Sequence, residues 1–249
     1  MGPRLRASVA AAALLILLGA VLVGGAEEDR AAGSAELEGS RAARATTGGA
    51  PARRGPLGAR LLRRTQLRAH AGGRVVRTLG TKTNFGSPRV LAVVERRGDW
   101  LAVLSPDLPN SRAGWIPVAS AELLREPITL HVDLSARSLV VRREGRVVRR
   151  VRVAVGAPGT ATPTGRFAVT DALRFRSGGP YGCCALALTG HQRNVPQGWT
   201  GGDRLAIHGT SNEATVGTAA SAGCLRAREA DMRWLLARVA LGAPVRITA

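Results

Sequence analysis

Beyond Pro127 the apolar residues fall on alternate positions over long stretches. Ile128, Leu130, Val132 and Leu134 share one side, Ser135-Ala136-Arg137 turns, Leu139-Val140-Val141 returns, Glu144-Gly145 turns again, and Val151, Val153 and Val155 alternate once more. A spacing of two puts these side chains on one face of a pleated strand and would scatter them around a helix, so the segment is read as a meander of antiparallel strands. Thr162-Pro163-Thr164-Gly165 supplies a further turn before Phe167 and Val169, and Leu205-Ala206-Ile207 forms a short apolar strand ending at His208. Helical spacing occurs only over residues 230–241, where Met232, Leu235, Leu236 and Val239 share a face, Trp234 sits at its edge, and Gly242 and Pro244 stand where a helix should stop. Val245 and Ile247 then provide a closing strand. The expected fold class is mainly all-β, with one or two short helices.

Residues 61–126 read as a second, smaller β unit. Val90-Leu91-Ala92-Val93-Val94, Trp100-Leu101-Ala102-Val103-Leu104 and Gly114-Trp115-Ile116-Pro117 are strands, punctuated by Gly98-Asp99 and Pro106-Asp107. The run Gly98-Asp99-Trp100-Leu101-Ala102-Val103, followed by Asn110-Ser111-Arg112-Ala113-Gly114-Trp115-Ile116-Pro117, resembles a bacterial SH3-like module. That resemblance implies a small β-barrel in which Trp100 and Trp115 are core aromatics. Residues 27–60 hold Ala, Gly, Arg, Ser, Thr and Pro with only two leucines, too little apolar surface to offset the entropy of ordering, and are expected to be a disordered linker.

Arg4 and Arg6 precede an uncharged stretch over residues 7–26, closed by Glu27-Glu28-Asp29. A basic start followed by an apolar run marks residues 1–26 as an export signal. Gly24-Gly25-Ala26 offers small residues for cleavage, and an uncharged run of this length also suffices as a membrane anchor, so a signal peptide and a signal anchor both stand. The remaining chain is expected outside the cytoplasm, in the cell envelope, either secreted or anchored by residues 7–26. Location bears on the charge: 36 Lys+Arg against 17 Asp+Glu give +19, and Lys82 is the only lysine. Such a chain attracts any polyanion. An exported protein does not meet nucleic acid, and residues 127–249 alone hold 17 arginines against seven acids, so the excess belongs to folded parts and not to a basic tail.

Three cysteines, Cys183, Cys184 and Cys224, leave at least one thiol unpaired in an exported chain unless chains cross-link. Cys224 lies in Ser221-Ala222-Gly223-Cys224-Leu225-Arg226, where small residues let backbone amides approach a substrate. Sixteen positions earlier, Ile207-His208-Gly209-Thr210 places a histidine at a strand exit. An imidazole that takes a thiol's proton forms the ion pair that keeps a thiolate at neutral pH, so Cys224 and His208 are the candidate nucleophile and base. Taken singly, each also has an ordinary structural reading, Cys224 as a small buried residue and His208 as a strand end. A bond between the neighbours Cys183 and Cys184 would be strained, so separate fates or a reduced pair lining a pocket are expected. The spaced Cys-x-x-Cys or paired His that zinc requires is missing, and neither metal nor cofactor is expected.

Further ordered pieces are Pro163-Thr164-Gly165-Arg166-Phe167, Pro180-Tyr181-Gly182, Gly202-Asp203-Arg204 running into the His208 strand, and Gly242-Ala243-Pro244-Val245-Arg246-Ile247. In their order, and in the interval from His208 to Cys224, residues 127–249 resemble the catalytic domain of the L,D-transpeptidase (YkuD-like) family. The resemblance implies a curved β-sandwich and an acyltransferase with a cysteine nucleophile, acting on peptidoglycan stem peptides in cell-wall synthesis. It implies that Cys224 attacks the third residue of a tetrapeptide stem, that D-alanine leaves, and that an amine of a neighbouring stem resolves the thioester as a 3-3 cross-link. His208 would hold the proton, the Gly209 carbonyl would orient its ring, and the amides of Gly223 and Cys224 would form the oxyanion hole. Arg226 would dock a stem carboxylate, the competing reading being an ion pair with Asp231 or Glu229. Tyr181 would line the donor groove or serve packing, and Ser221 and Thr210 would stand beside the substrate chiefly to fix loop geometry. The family often has His between Ser and Gly, where this chain has Ala222, which puts the surroundings of the thiol in question. Two other readings keep the fold: water as acceptor, giving an L,D-carboxypeptidase or endopeptidase, and an inert wall-binding protein.

Overall fold

Seven strands build the N-terminal sheet: β1 (Leu57–Leu61), β2 (Thr65–Arg68), β3 (Val75–Leu79), β4 (Val90–Arg97), β5 (Trp100–Leu104), β6 (Ala113–Pro117) and β7 (Ala121–Arg125). Their order is β3-β2-β6-β5-β4-β1-β7. Ala59, Leu67, Leu79, Leu91, Leu101 and Ile116 share one buried cluster, so strands far apart in that order meet and the sheet curls around its own core. Trp115 belongs to the buried residues and Trp100 is half-buried. The computed structural model describes residues 55–176, 179–195 and 202–249, all within the unit Pro51–Ala249. The expected leader over residues 1–26 and most of the expected linker lie outside the described residues. One boundary needs correcting, because β1 starts at Leu57, inside the stretch read as linker. Ala59 and Leu61 turn inward while Arg60 faces out, and β1 pairs with β4 on one side and β7 on the other.

The remaining elements are β8 (Ile128–Asp133), β9 (Ser138–Arg143), β10 (Arg146–Gly156), β11 (Gly165–Arg174), β12 (Cys184–His191), β13 (Arg204–His208), β14 (Ala219–Ser221), β15 (Leu225–Ala227), helix α1 (Glu229–Leu236) and β16 (Pro244–Thr248). The expected meander is present as β8, β9 and the first part of β10, joined at Glu144-Gly145 with φ of 50° and 83°. Beyond it the long strands each serve two partners in succession. β10 pairs with β9 up to Arg152 and with β15 at Val153 and Ala154. β11 pairs with β16 up to Ala168 and with β12 from Val169. Pairing therefore runs β10-β15-β13-β12-β11-β16-β8-β9 and returns to β10, so the curved sandwich is a closed ring around Leu139, Val153, Phe167, Leu186 and Ile207.

Helix α1 closes this core with Met232 and Leu235. It stops at Leu236, short of the expected 241, and in the turn that follows the Leu235 carbonyl accepts both the Arg238 N–H at 3.0 Å and the Val239 N–H at 2.8 Å. Val239 nevertheless stays buried, so the apolar face outlasts the regular helix. Gly242 turns the chain into β16 at φ 87°, and a Cβ there would stand 2.7 Å from Val90 Cγ1 of the other sheet. The two sheets are further joined by the Asn110 side chain, which donates to the His191 carbonyl and accepts its N–H, both at 2.8 Å. No helix among the described residues is long and apolar enough to cross a membrane.

Candidate active site

β13 and β15 are parallel neighbours, with Ile207 opposite Leu225 and His208 opposite Arg226. Ile207 and Leu225 are buried in the core, which fixes the register. Cys224 immediately precedes β15, so it lies two residues along and one strand across from His208, a Cα separation of roughly 8 Å from ordinary strand spacings. Both residues line a cavity of ≈ 110 Å³ together with Tyr181, Gln192, Ala222 and Arg226.

His208 is 3% exposed. Its Nδ1 lies 2.6 Å from the Gly209 carbonyl, which makes Nδ1 the protonated nitrogen and leaves Nε2 as the ring's acceptor. Tyr181 packs edge-to-face on the imidazole with centroids 5.0 Å apart. Burial pushes the His208 pKa down to about 4, the Gly209 bond opposes this, and the Arg226 charge adds to it. Cys224 is a free, half-buried thiol that donates to the Arg204 carbonyl at 3.8 Å. Burial pushes its pKa up, against a backbone hydrogen bond from Ala206 and the pull of Arg226. Burial thus opposes charge on both groups. It works against the expected thiolate–imidazolium pair, because each charge would lose its water.

The loop before Cys224 is locked by hydroxyls. Ser221 Oγ donates to the Cys224 carbonyl at 2.6 Å and accepts the Gly223 N–H at 3.0 Å. This corrects the expected oxyanion hole: the Gly223 amide is already committed, and of the two proposed donors the Cys224 amide remains. Gly223 sits at φ 115°, where a Cβ would collide with the Gln192 amide. Three residues to which the sequence reading gave no part in the site complete the lock. Thr162 Oγ1 donates to the Gly223 carbonyl at 2.8 Å and accepts the Gly156 N–H at 2.9 Å. Thr160 Oγ1 donates to the Ser221 carbonyl at 3.0 Å, and Gln192 Nε2 donates to the Thr160 and Ala161 carbonyls at 2.9 and 2.8 Å. The only sequence signal for them was a turn beside Pro163, which ordinary turns share.

Thr210 and Ser221 are buried and do not line the cavity. Thr210 Oγ1 accepts the Asn212 N–H at 3.1 Å, so its work is loop geometry and not substrate contact. Arg226 does line the cavity, and the ion pairs weighed for it do not form. Asp231 pairs with Arg149 at 2.6 Å, while Glu229 pairs with Arg233 at 3.3 Å and accepts the Cys183 N–H at 3.0 Å. The Arg226 Nε is buried with no hydrogen-bond partner among the described residues. A buried guanidinium N–H without a partner is what an arriving carboxylate would satisfy. Cys183 and Cys184 overturn the expectation of separate fates, since their sulfurs are bonded to one another. Their carbonyls accept the N–H groups of Phe175 and Gly209 at 2.8 and 3.0 Å, which ties the turn beside His208 on both sides.

Residues 127–247, just under half of the chain, match the family described as YkuD, L,D-transpeptidase catalytic domain, so this segment is a domain of that family. A Bacillus subtilis protein named as an L,D-transpeptidase, YkuD, is 33% identical over 121 residues, covering 49% of this chain and 66% of the relative. Its Bacillus licheniformis counterpart is 32% identical over 122 residues with the same coverage, 49% and 66%. The chain thus spans somewhat less than two thirds of the length of these relatives. An L,D-transpeptidase crystal structure from Mycobacterium tuberculosis is 17% identical, covering 57% of this chain and 67% of that one, at a TM-score of 0.42. At that score the likeness is slight.

Proposed function

We propose that the protein is a peptidoglycan L,D-transpeptidase that forms 3-3 cross-links outside the cytoplasm, with residues 7–26 as its export signal or anchor. The observation that carries this reading is the free thiol of Cys224 beside an imidazole whose Nδ1 is tied to the Gly209 carbonyl. Cys224 Sγ adds to the carbonyl carbon of the third stem residue while its proton passes to His208 Nε2. Because burial opposes charge on both groups, attack and proton transfer go together. The oxyanion is met by the Cys224 amide, a kind of contact worth roughly 2.7–4 kcal/mol per donor. The C–N bond then breaks, D-alanine leaves with the proton from His208, and a thioester remains. An amine of a neighbouring stem attacks it, His208 takes the amine's proton, the C–S bond breaks, and the thiol is restored. Arg226 holds a carboxylate of the donor stem through its unpaired Nε.

Incubation of the full chain with a tetrapeptide stem, followed by intact mass spectrometry, tests this. Wild type should gain the mass of the acyl group and Cys224→Ala should not. Adding an amine-bearing stem should convert the adduct to a cross-linked product. Hydrolysis alone in the presence of that amine would assign a carboxypeptidase, and no adduct with any stem would leave an inert wall-binding protein.

A further inference from the structure

A second cavity, of ≈ 280 Å³, opens where the two sheets meet, and the reaction above does not use it. Asp171 of β11 lines it and is 1% exposed. The Thr83 hydroxyl donates to Asp171 Oδ1, whereas Oδ2 is buried with no hydrogen-bond partner among the described residues. A carboxylate oxygen removed from water and left without a donor is costly until one arrives.

Asp107 and Asp203 are already matched, and Arg204 has Asp171 as its leading opposite charge without bonding Oδ2. Asp107 faces Arg77 at 3.3 Å and Arg89 at 3.6 Å, and Asp203 faces His191 at 2.9 Å. Arg204 donates to the Leu188 carbonyl and the Thr170 hydroxyl, both at 2.9 Å. Phe85 also lines the cavity yet is 53% exposed, carried on a turn closed by hydrogen bonds between Thr83 and Ser87 and between Gly86 and Thr83. A carboxylate oxygen without a donor, in a cavity that also carries an aromatic ring and three carboxylates against two guanidinium groups, favours an alkylammonium ion over a neutral molecule. The described residues group no three side chains able to hold a metal ion.

We propose that this cavity binds a primary ammonium group on a short aliphatic stem, with Asp171 Oδ2 as its hydrogen-bond acceptor and the Phe85 ring against its charge. Arg89 and Arg204 in the wall disfavour a second positive charge, so the ligand is a monoamine and not a diamine. Asp203 and Arg204 line this cavity and that of Cys224 alike, and the Arg204 carbonyl accepts the Cys224 thiol, so an occupant stands one residue from the nucleophile's support.

The test is a titration of the ¹⁵N-labelled full chain with n-butylamine, with 1-butanol as the uncharged control. The amine should give saturable shifts centred on residues 83–86 and 171, and butanol should not. Asp171→Asn should weaken binding about tenfold or more, the equivalent of one good charged contact. Phe85→Ala should weaken it about two- to fivefold, and because that ring is exposed this variant keeps its fold even if Asp171→Asn does not. Cys224→Ala should bind as wild type, which separates this site from the acyl-transfer reading. Equal response to amine and alcohol, an absence of shifts at residues 83–86, or unchanged affinity in Phe85→Ala would overturn the proposal.

Discussion

Replacing Glu126 by glutamine should turn a flat dependence of stability on pH into a rising one. Glu126 lies between β7 and β8, 4% exposed, and burial pushes its pKa from 4.5 to about 7. Its folded form therefore holds a proton that the unfolded chain gives up above pH 4.5, and the stability it contributes at low pH is lost as pH rises to 7. His208 works the other way. Its pKa falls from 6.5 to about 4 on folding, so the unfolded chain takes up a proton first and stability is lost as pH falls from 6.5 to 4. At roughly 1.4 kcal/mol per pH unit, each displacement is worth about 3 kcal/mol, with opposite sign. Between pH 4.5 and 6.5 the two slopes cancel in the wild type. Glu126→Gln leaves His208 alone, and stability should climb by about 3 kcal/mol from pH 4 to 6.5. His208→Gln leaves Glu126 alone and should give a fall of similar size from pH 4.5 to 7. Urea denaturation across this range, with the slope m checked for constancy, measures all three profiles. Slopes that other carboxyls impose are common to the three proteins and drop out of the differences. If both variants track the wild-type profile, burial does not perturb these groups in the way described.

Thr162→Val keeps the shape and removes the hydroxyl that serves Gly223 and Gly156, leaving two backbone groups unmatched. At about 1–3 kcal/mol for each, with the half-exposed Gly156 site at the low end, stability should fall by roughly 2–4 kcal/mol in urea. A fall below about 0.5 kcal/mol would show that this hydroxyl does not hold the loop. Arg226→Met removes a buried charge while keeping length. KM for the donor stem should rise about tenfold or more with a smaller change in kcat, and alkylation of Cys224 by iodoacetamide should slow because the charge that favours its thiolate is gone. An unchanged KM would remove Arg226 from carboxylate docking.

The meander, the His208 strand and the helix were legible because each is a local pattern: alternate apolar residues, a turn, a face at helical spacing. So was the bond from His208 Nδ1 to the Gly209 carbonyl, which rests on adjacent residues. What escaped was non-local. That β10 and β11 each change partner midway depends on where other strands end, and nothing within 146–156 or 165–174 marks the change. Thr162 reaches Gly223 across 61 positions, and Thr83 reaches Asp171 across 88, so neither contact has a sequence period to betray it. The burial that opposes a thiolate–imidazolium pair was equally out of sight, because the 3% exposure of His208 is set by residues distant in the chain. The Cys183–Cys184 bond escaped because local strain was weighed without the two carbonyl anchors that hold the turn.

β15 has only three residues, and at the margin of a sheet so short a strand could slide by one position. Here it is zipped to β10 on one side and β13 on the other. A slip would swing Leu225 and Ala227 out of the core and drive Arg226 into it, and both ladders would have to err together. Folding thus doubles as proofreading of the candidate site: closing the ring sets the height of the Cys224 sulfur against the imidazole of His208.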